Sequence, residues 1–379
     1  MEKKIYFSGL DGLRFISILF VVIHHLFTFK NYYGLTYFNA PVIGVIGYYG
    51  IQFFFAGSGF LITYLLLSEY NRYGKISLKS FYIRRVLRIW PAYYLLLFLA
   101  LLIFLKFSFF NIPALTDDYL ASDFKKGNSL YFSFLPHLVP FYNPTAPYVH
   151  QTYTIGIEEQ FYFLWGLLFF LAARYVKWIF LIVLISVPFL NFFHDLFLPE
   201  NSKGVVRYFF MATTYIKYSR FSTFAIGSLF AIAFFLKMRW INIFRSLYTQ
   251  IAVYAILLVS IVFDFSIPHF RDEYIAIMML FIFFIANFRK ESIINYDVKW
   301  LSFLGKISYG IYLFHIFAIV IAIKICTLIF HFEMKSYWQM LVLTGVTIFL
   351  AIAFGFMSYF TVEKYFLNLK NRFKKVKSY

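Results

Sequence analysis

Cysteine is nearly absent: Cys326 is the single one in 379 residues, so no intramolecular disulfide can form, and its place inside an apolar run assigns it no role. Charge is scarce as well. Charged residues make up 14% of the chain, against about 25% in soluble domains, which excludes an ordinary soluble fold. Acidic residues are the rarer sign, 17 against 35 lysines and arginines, for a net charge of +18. Such an excess can mark a nucleic-acid binder. Here the basic residues sit mainly between apolar runs, where they orient a membrane protein. No small-residue cleavage site follows the first apolar run, which reads as a retained helix and not as a signal peptide. Internal repeats, low-complexity segments and a soluble domain at either end are all missing from the pattern.

What fills the chain is apolar: 62% hydrophobic, 25% aromatic, with a mean hydropathy of +0.73. The runs predict an all-α polytopic membrane bundle of about ten transmembrane helices, near 10–29, 48–67, 89–107, 155–173, 178–196, 219–236, 248–265, 271–288, 307–329 and 338–360. An even number puts both termini on one side. Lysine and arginine number 23 on that side and 11 on the other, which predicts cytoplasmic N- and C-termini. The basic 197–218 loop, with Lys203, Arg207 and Lys217, runs against this bias. One membrane domain is expected over 1–379, with a core at about 8–362 and a basic cytoplasmic tail at 363–379 that attracts anionic lipid. The longest connection, 108–154, carries Pro113, Pro136, Pro140, Pro144, Pro147, Asp117, Asp118 and Asp123, and is placed outside the membrane on the outer face.

Within so apolar a chain the polar residues stand out. Arg14 and His25 lie eleven positions apart in the first run. At 100° per residue that is about 1100°, within about 20° of three turns, so both share a face over a rise of about 16 Å. Ionisable groups on a membrane helix are costly and face a bundle interior or a watery path. In the second run Gly57, Ser58 and Gly59 interrupt an aromatic helix. Small residues there serve close helix packing, or make room for a substrate arm. Arg84, Arg85 and Arg88 cluster at the inner mouth of the third run; Arg85 and Arg88, three apart, can grip a phosphate together, although anchoring explains one or two of the three. Glu158 and Glu159 open the fourth run, where capping by the helix dipole is the simplest account. Adjacent positions diverge by about 100°, so one of the two points into the bundle. Glu158 and His25 fall at similar depth, and a carboxylate beside an imidazole builds a general base. His315 reads as a satisfied histidine of the bundle interior, and Glu363 as an orienting or ion-pairing group.

Five segments, DGLRFISILFVVIHH, FFFAGSGFLI, FYIRRVLRIWPAYY, Thr152 to Trp165 with its EEQFYFLW, and GKISYGIYLFHIF, resemble in order the acyltransferase-3 family of integral membrane acyltransferases, over nearly the whole chain. The family's arginine–ten–histidine signature maps onto Arg14 and His25, its paired arginines onto Arg85 and Arg88, and its glutamate before Phe-Tyr onto Glu158. Two departures are conservative in character: Tyr153-Thr154-Ile155 replaces the usual Trp-Ser-Leu, and the small-residue turn reads Ala-Gly-Ser-Gly.

The resemblance implies transfer of an acyl group, commonly acetyl from acetyl-CoA, to a hydroxyl of a bacterial surface carbohydrate or lipid-linked sugar, in the plasma (inner) membrane. His25 and Glu158 would be catalytic; Arg14, Arg85, Arg88 and Ser58 would hold the donor. No metal and no tightly bound cofactor is expected. Acyl-CoA, the glycan acceptor and membrane lipids are the expected partners, with no nucleic acid. Some relatives carry an extracytoplasmic hydrolase-like domain; none is expected in this chain. The competing reading is a membrane transporter for a small anionic or sugar-like solute, which ten helices and a buried Arg–His stripe would also suit.

Overall fold

The computed structural model describes residues 6–36, 38, 40–121, 124–141, 144–197 and 204–373. Every regular element among them is a helix. Apolar runs in lipid have no other local way to satisfy their peptide groups, short of a closed barrel. Ten helices organise the bundle: α1 (Leu10–Tyr32), α2 (Pro41–Tyr73), α3 (Leu78–Phe98), α4 (Thr152–Ala172), α5 (Val176–Phe197), α6 (Phe221–Phe235), α7 (Leu247–Val262), α8 (Arg271–Asn287), α9 (Ser308–Lys324) and α10 (Tyr337–Ser358).

A helix stands at each of the ten expected places, but crossings are fewer by length and hydropathy. Six helical stretches are long and apolar enough to span a membrane, or eight if two bent pairs each count as one. The difference has four local causes, one of them the 81° bend between the 3-10 segment Arg239–Arg245 and α7. The expected fourth and fifth spans run together as one stretch, Thr152–Leu190, with only a 3-10 turn at Ala173–Tyr175 between them. Arg220 adopts a left-handed conformation (φ 56°) and bends the path by 46° at the start of α6. Finally, α8 has 17 residues, short for a spanning helix.

Two expected loops turn out to be structured. The 197–218 stretch is helical over Gly204–Tyr218, because its apolar residues recur at helical spacing; Lys203 lies outside the described residues. The 108–154 connection contains the short helices Leu115–Ala121 and Phe124–Phe132 and a 3-10 turn at Pro136–Phe141. The expected tail begins as helix too, extending the last stretch to Phe373, while 374–379 lie outside the described residues.

Glycine sets the spacing around α2. A methyl group on Gly50 would meet the Ser17 carbonyl oxygen at 2.3 Å, so α1 and α2 touch backbone to backbone. On the opposite flank Gly59 and Gly227 stand in the same relation to the carbonyls of Phe224 and Ala56, at 2.2 and 2.0 Å, locking α2 against α6. Polar pairs pin the same contact: Thr63 donates to Ser228 at 2.7 Å, and Gln52 links Thr223 to Asp272, which also pairs with Arg220.

Candidate active site

Helices α1, α2, α3, α4 and α9 enclose a cavity of about 90 Å³. Its wall includes Arg14, Ser58, Arg85, Arg88 and Glu158, five of the six site residues expected from sequence, together with Gly57, Thr154, Tyr162, Tyr309 and Tyr312. The sixth, His25, is buried on α1 and is not part of that wall.

The arginine cluster divides by task. Arg84 bonds the Phe373 carbonyl at 2.8 Å and pairs with Glu69 at 3.4 Å, tying α3 to the C-terminal helix. Arg85 and Arg88 face the cavity. Arg85 is 8% exposed, lies over the rings of Phe81 and Tyr162 at 5.6 and 5.2 Å, and keeps a buried Nε with no hydrogen-bond partner. A buried guanidinium donor without an acceptor is costly and marks a place for an anionic group. Arg14 pairs with Asp11 at 3.5 Å, one turn earlier on α1, and lines the same cavity.

Glu158 accepts hydrogen bonds from the hydroxyls of Ser58 and Tyr162. Tyr162 is four positions after Glu158, on the same face of α4, and presents its hydroxyl by simple helical geometry. The two small residues of α2 serve different ends. Gly59 packs against α6, whereas a methyl on Gly57 would meet nothing nearer than 4.0 Å, and Gly57 lines the cavity. The packing reading holds for Gly59, while Gly57 borders open space.

Glu158 does not orient His25, as the depth argument had suggested. The hydrogen-bond partners of Glu158 are Ser58 and Tyr162. The partner of His25 is His315, with Nδ1 2.6 Å from Nε2 and ring planes 11° apart. His315 Nδ1 is also 2.6 Å from the Tyr312 carbonyl oxygen. A carbonyl can only accept, so Nδ1 of His315 carries hydrogen. In the neutral ring Nε2 then offers its lone pair to the Nδ1–H of His25, and Nε2 of His25 is left as a base. Tyr312 links this pair to the cavity: it lines the wall, bonds Thr154, and donates to the Gln151 carbonyl at 2.8 Å. His150, at the foot of α4, approaches the His25 ring edge-on at 6.1 Å; burial, with His24 nearby, lowers its pKa. His315, Tyr312, Tyr162 and His150 thus join the expected set. His315 stood out in sequence only as a bundle-interior histidine, and Tyr162 has a signal in its i, i+4 relation to Glu158.

Glu363, just after α10, is buried and accepts from Ser358 at 2.7 Å in space that Gly310 leaves open. Among the described residues no group of three or more His, Cys, Asp or Glu is placed to hold a metal ion.

The model of the acyltransferase domain family matches residues 7–358. The O-acetyltransferase OatA of Staphylococcus aureus strain NCTC 8325 is 30% identical over 336 residues, covering 83% of this chain and 51% of that protein. A further S. aureus (strain COL) protein, provisionally named an O-acetyltransferase, is 36% identical over 171 residues, 42% of this chain and 24% of its own length. The chain therefore spans between about a quarter and a half of the curated relatives it matches. No solved structure matches. The family match favours acyl transfer over transport, and with the arginine-lined cavity and the histidine pair in place, the chain belongs to the acyltransferase-3 family of membrane proteins.

Proposed function

We propose that this chain is a membrane O-acyltransferase, moving an acyl group, acetyl in the simplest case, from cytoplasmic acyl-CoA to a hydroxyl of a surface carbohydrate or lipid-linked sugar. The observation that carries the reading is the gathering of Arg14, Ser58, Arg85, Arg88 and Glu158 on one cavity, with Tyr312 joining that wall to the His25–His315 pair. In this reading the helical bundle crosses a bacterial inner membrane, both termini are cytoplasmic, and the arginines lie at the inner mouth. The relatives named O-acetyltransferases support the choice of chemistry.

Arg85 and Arg88 hold the donor's phosphates, and the pantetheine arm passes Gly57. His25 Nε2 takes the proton of the acceptor hydroxyl as its oxygen attacks the thioester carbonyl. The C–S bond breaks, an ester forms, and the CoA thiolate leaves with the proton that His25 returns. The same nitrogen can instead accept the acyl group first; both routes use one atom. Glu158, held by Ser58 and Tyr162, shapes the polar wall along which the arm lies.

Membranes bearing His25→Ala should bind labelled acetyl-CoA and leave the glycan unmodified. Full acetylation by that variant would overturn the proposal. Mass spectrometry of surface glycan from a deletion strain should show the loss of an acyl mass, and the fraction that loses it names the acceptor.

A further inference from the structure

The two adjacent glutamates of α4 face different spaces. Glu158 lines the cavity described above, whereas Glu159 lines a second one of about 390 Å³ with Ser133, Phe134, Leu135, Gln160, Phe163, Leu164 and Tyr215. This space lies between the outer connection, α4 and the Gly204–Tyr218 helix.

Its polar wall is built and incompletely used. Glu159 Oε2 receives one long hydrogen bond from Trp90 at 3.4 Å, and its Oε1 is buried with no partner. Gln160 is held from both ends: Tyr215 donates to its Oε1 at 2.6 Å, and its amide lies 3.0 Å from His137 Nε2. The amide nitrogen must donate, so His137 Nε2 accepts, and hydrogen sits on Nδ1. That Nδ1 is buried with no partner as well, on a ring 4% exposed. Burial pushes the His137 pKa down to about 4, so the neutral form persists. Of these two, Glu159 belongs to the cavity wall and His137 does not. A buried polar atom left this way costs about 1–3 kcal/mol, which a visiting group of the right kind recovers at Glu159.

The right kind is a hydroxyl. Burying a charged pair costs more than burying a neutral one, and a hydroxyl can both donate to the Glu159 carboxyl and accept from the second amide hydrogen of Gln160. The rim points to where such a group comes from. Phe163 and Leu164 are 60% and 44% exposed on the outer surface of a membrane-spanning stretch, toward lipid. Glu159 lies about 10 Å along α4 from its start, below the interface. A soluble sugar would have to cross an apolar rim, whereas an amphiphile can lay its chain against it.

We propose that this second cavity binds the polyhydroxylated headgroup of a membrane amphiphile, through Glu159, Gln160 and Tyr215, with its chain along Phe163 and Leu164. The proposal is a binding claim and stands apart from acyl transfer.

The test uses the full chain in phosphatidylcholine nanodiscs with and without monoglucosyldiacylglycerol, read by native mass spectrometry. One glucolipid should be retained. Glu159→Ala should lower the retained fraction at least tenfold, and Tyr215→Phe, which removes a single hydroxyl, at least threefold. Thermal unfolding checks that each variant is folded. Should Glu159→Ala fail to fold, Tyr215→Phe and Leu164→Trp, which narrows the rim, carry the comparison. Equal retention by the folded variants would overturn the proposal. So would equal retention of phosphatidylcholine, which has no headgroup hydroxyl. Displacement by an equimolar amount of free methyl glucoside would overturn the lipid source, because the headgroup alone would then account for binding.

Discussion

His25 and His315 share one hydrogen bond of 2.6 Å although 290 residues separate them. The Tyr312 carbonyl fixes the hydrogen on the far side of His315, and this sets which nitrogen of His25 is the base. Removing His25 should lower acyl transfer by about 100- to 10,000-fold, the usual worth of a general base, with donor affinity unchanged. His315→Ala should lower kcat on the order of 100-fold with little change in KM, because His25 then loses the partner that selects its tautomer. His315→Gln, whose amide oxygen can accept from His25 Nδ1–H, should restore part of that loss. A merely structural His315 would show no such rescue.

Arg85 should govern donor affinity. Its unpartnered Nε and buried position suit a charge-assisted bond to phosphate, worth about 1.5–3 kcal/mol. Arg85→Ala should therefore raise the Kd for acetyl-CoA about 10- to 100-fold in equilibrium binding to purified protein. Arg85→Lys should recover little, since a point charge lacks the planar fork. Unchanged affinity with lost turnover would contradict the assignment.

Gly57 and Gly59 should separate stability from donor handling. A Cβ at Gly59 would meet the Phe224 carbonyl oxygen at 2.2 Å, so Gly59→Ala must push α2 off α6. Overpacking of this kind typically costs about 1–3 kcal/mol, which a lower thermal midpoint in detergent would show. Gly57→Ala should leave that midpoint nearly unchanged, and Gly57→Leu should weaken donor binding by filling the cavity.

Acid should loosen the 108–154 connection. His137 titrates near 4 in the folded chain, against about 6.5 when unfolded. Between these values the unfolded state binds the extra proton, so stability is fully present above about pH 6.5 and is lost as pH falls toward 4. The thermal midpoint should fall across this window, and His137→Gln should flatten the dependence.

Much of this was legible in the primary structure because membrane burial makes polar residues informative. Arg14, Ser58, Arg85, Arg88 and Glu158 stood out as costs, and the fold collects all five on one cavity. Helix positions followed from apolar runs. What the runs could not show was where a helix continues without a loop, as at Ala173–Tyr175, or bends without a proline, as at Arg220. Depth along a helix was also mistaken for proximity. Neighbours are set by which helices pack, and the α1–α9 contact that supplies His315 has no trace in local spacing. The second glutamate was readable as pointing elsewhere, though not toward what.

Positions 57 and 59 of α2 lie about 200° apart around the helix axis. One side is closed by a carbonyl and the other opens on empty space. Residue 57 can therefore grow in size, and so trim the cavity, without renegotiating the helix contact two residues away. Related chains should vary at position 57 more freely than at 59, where the small residue is required.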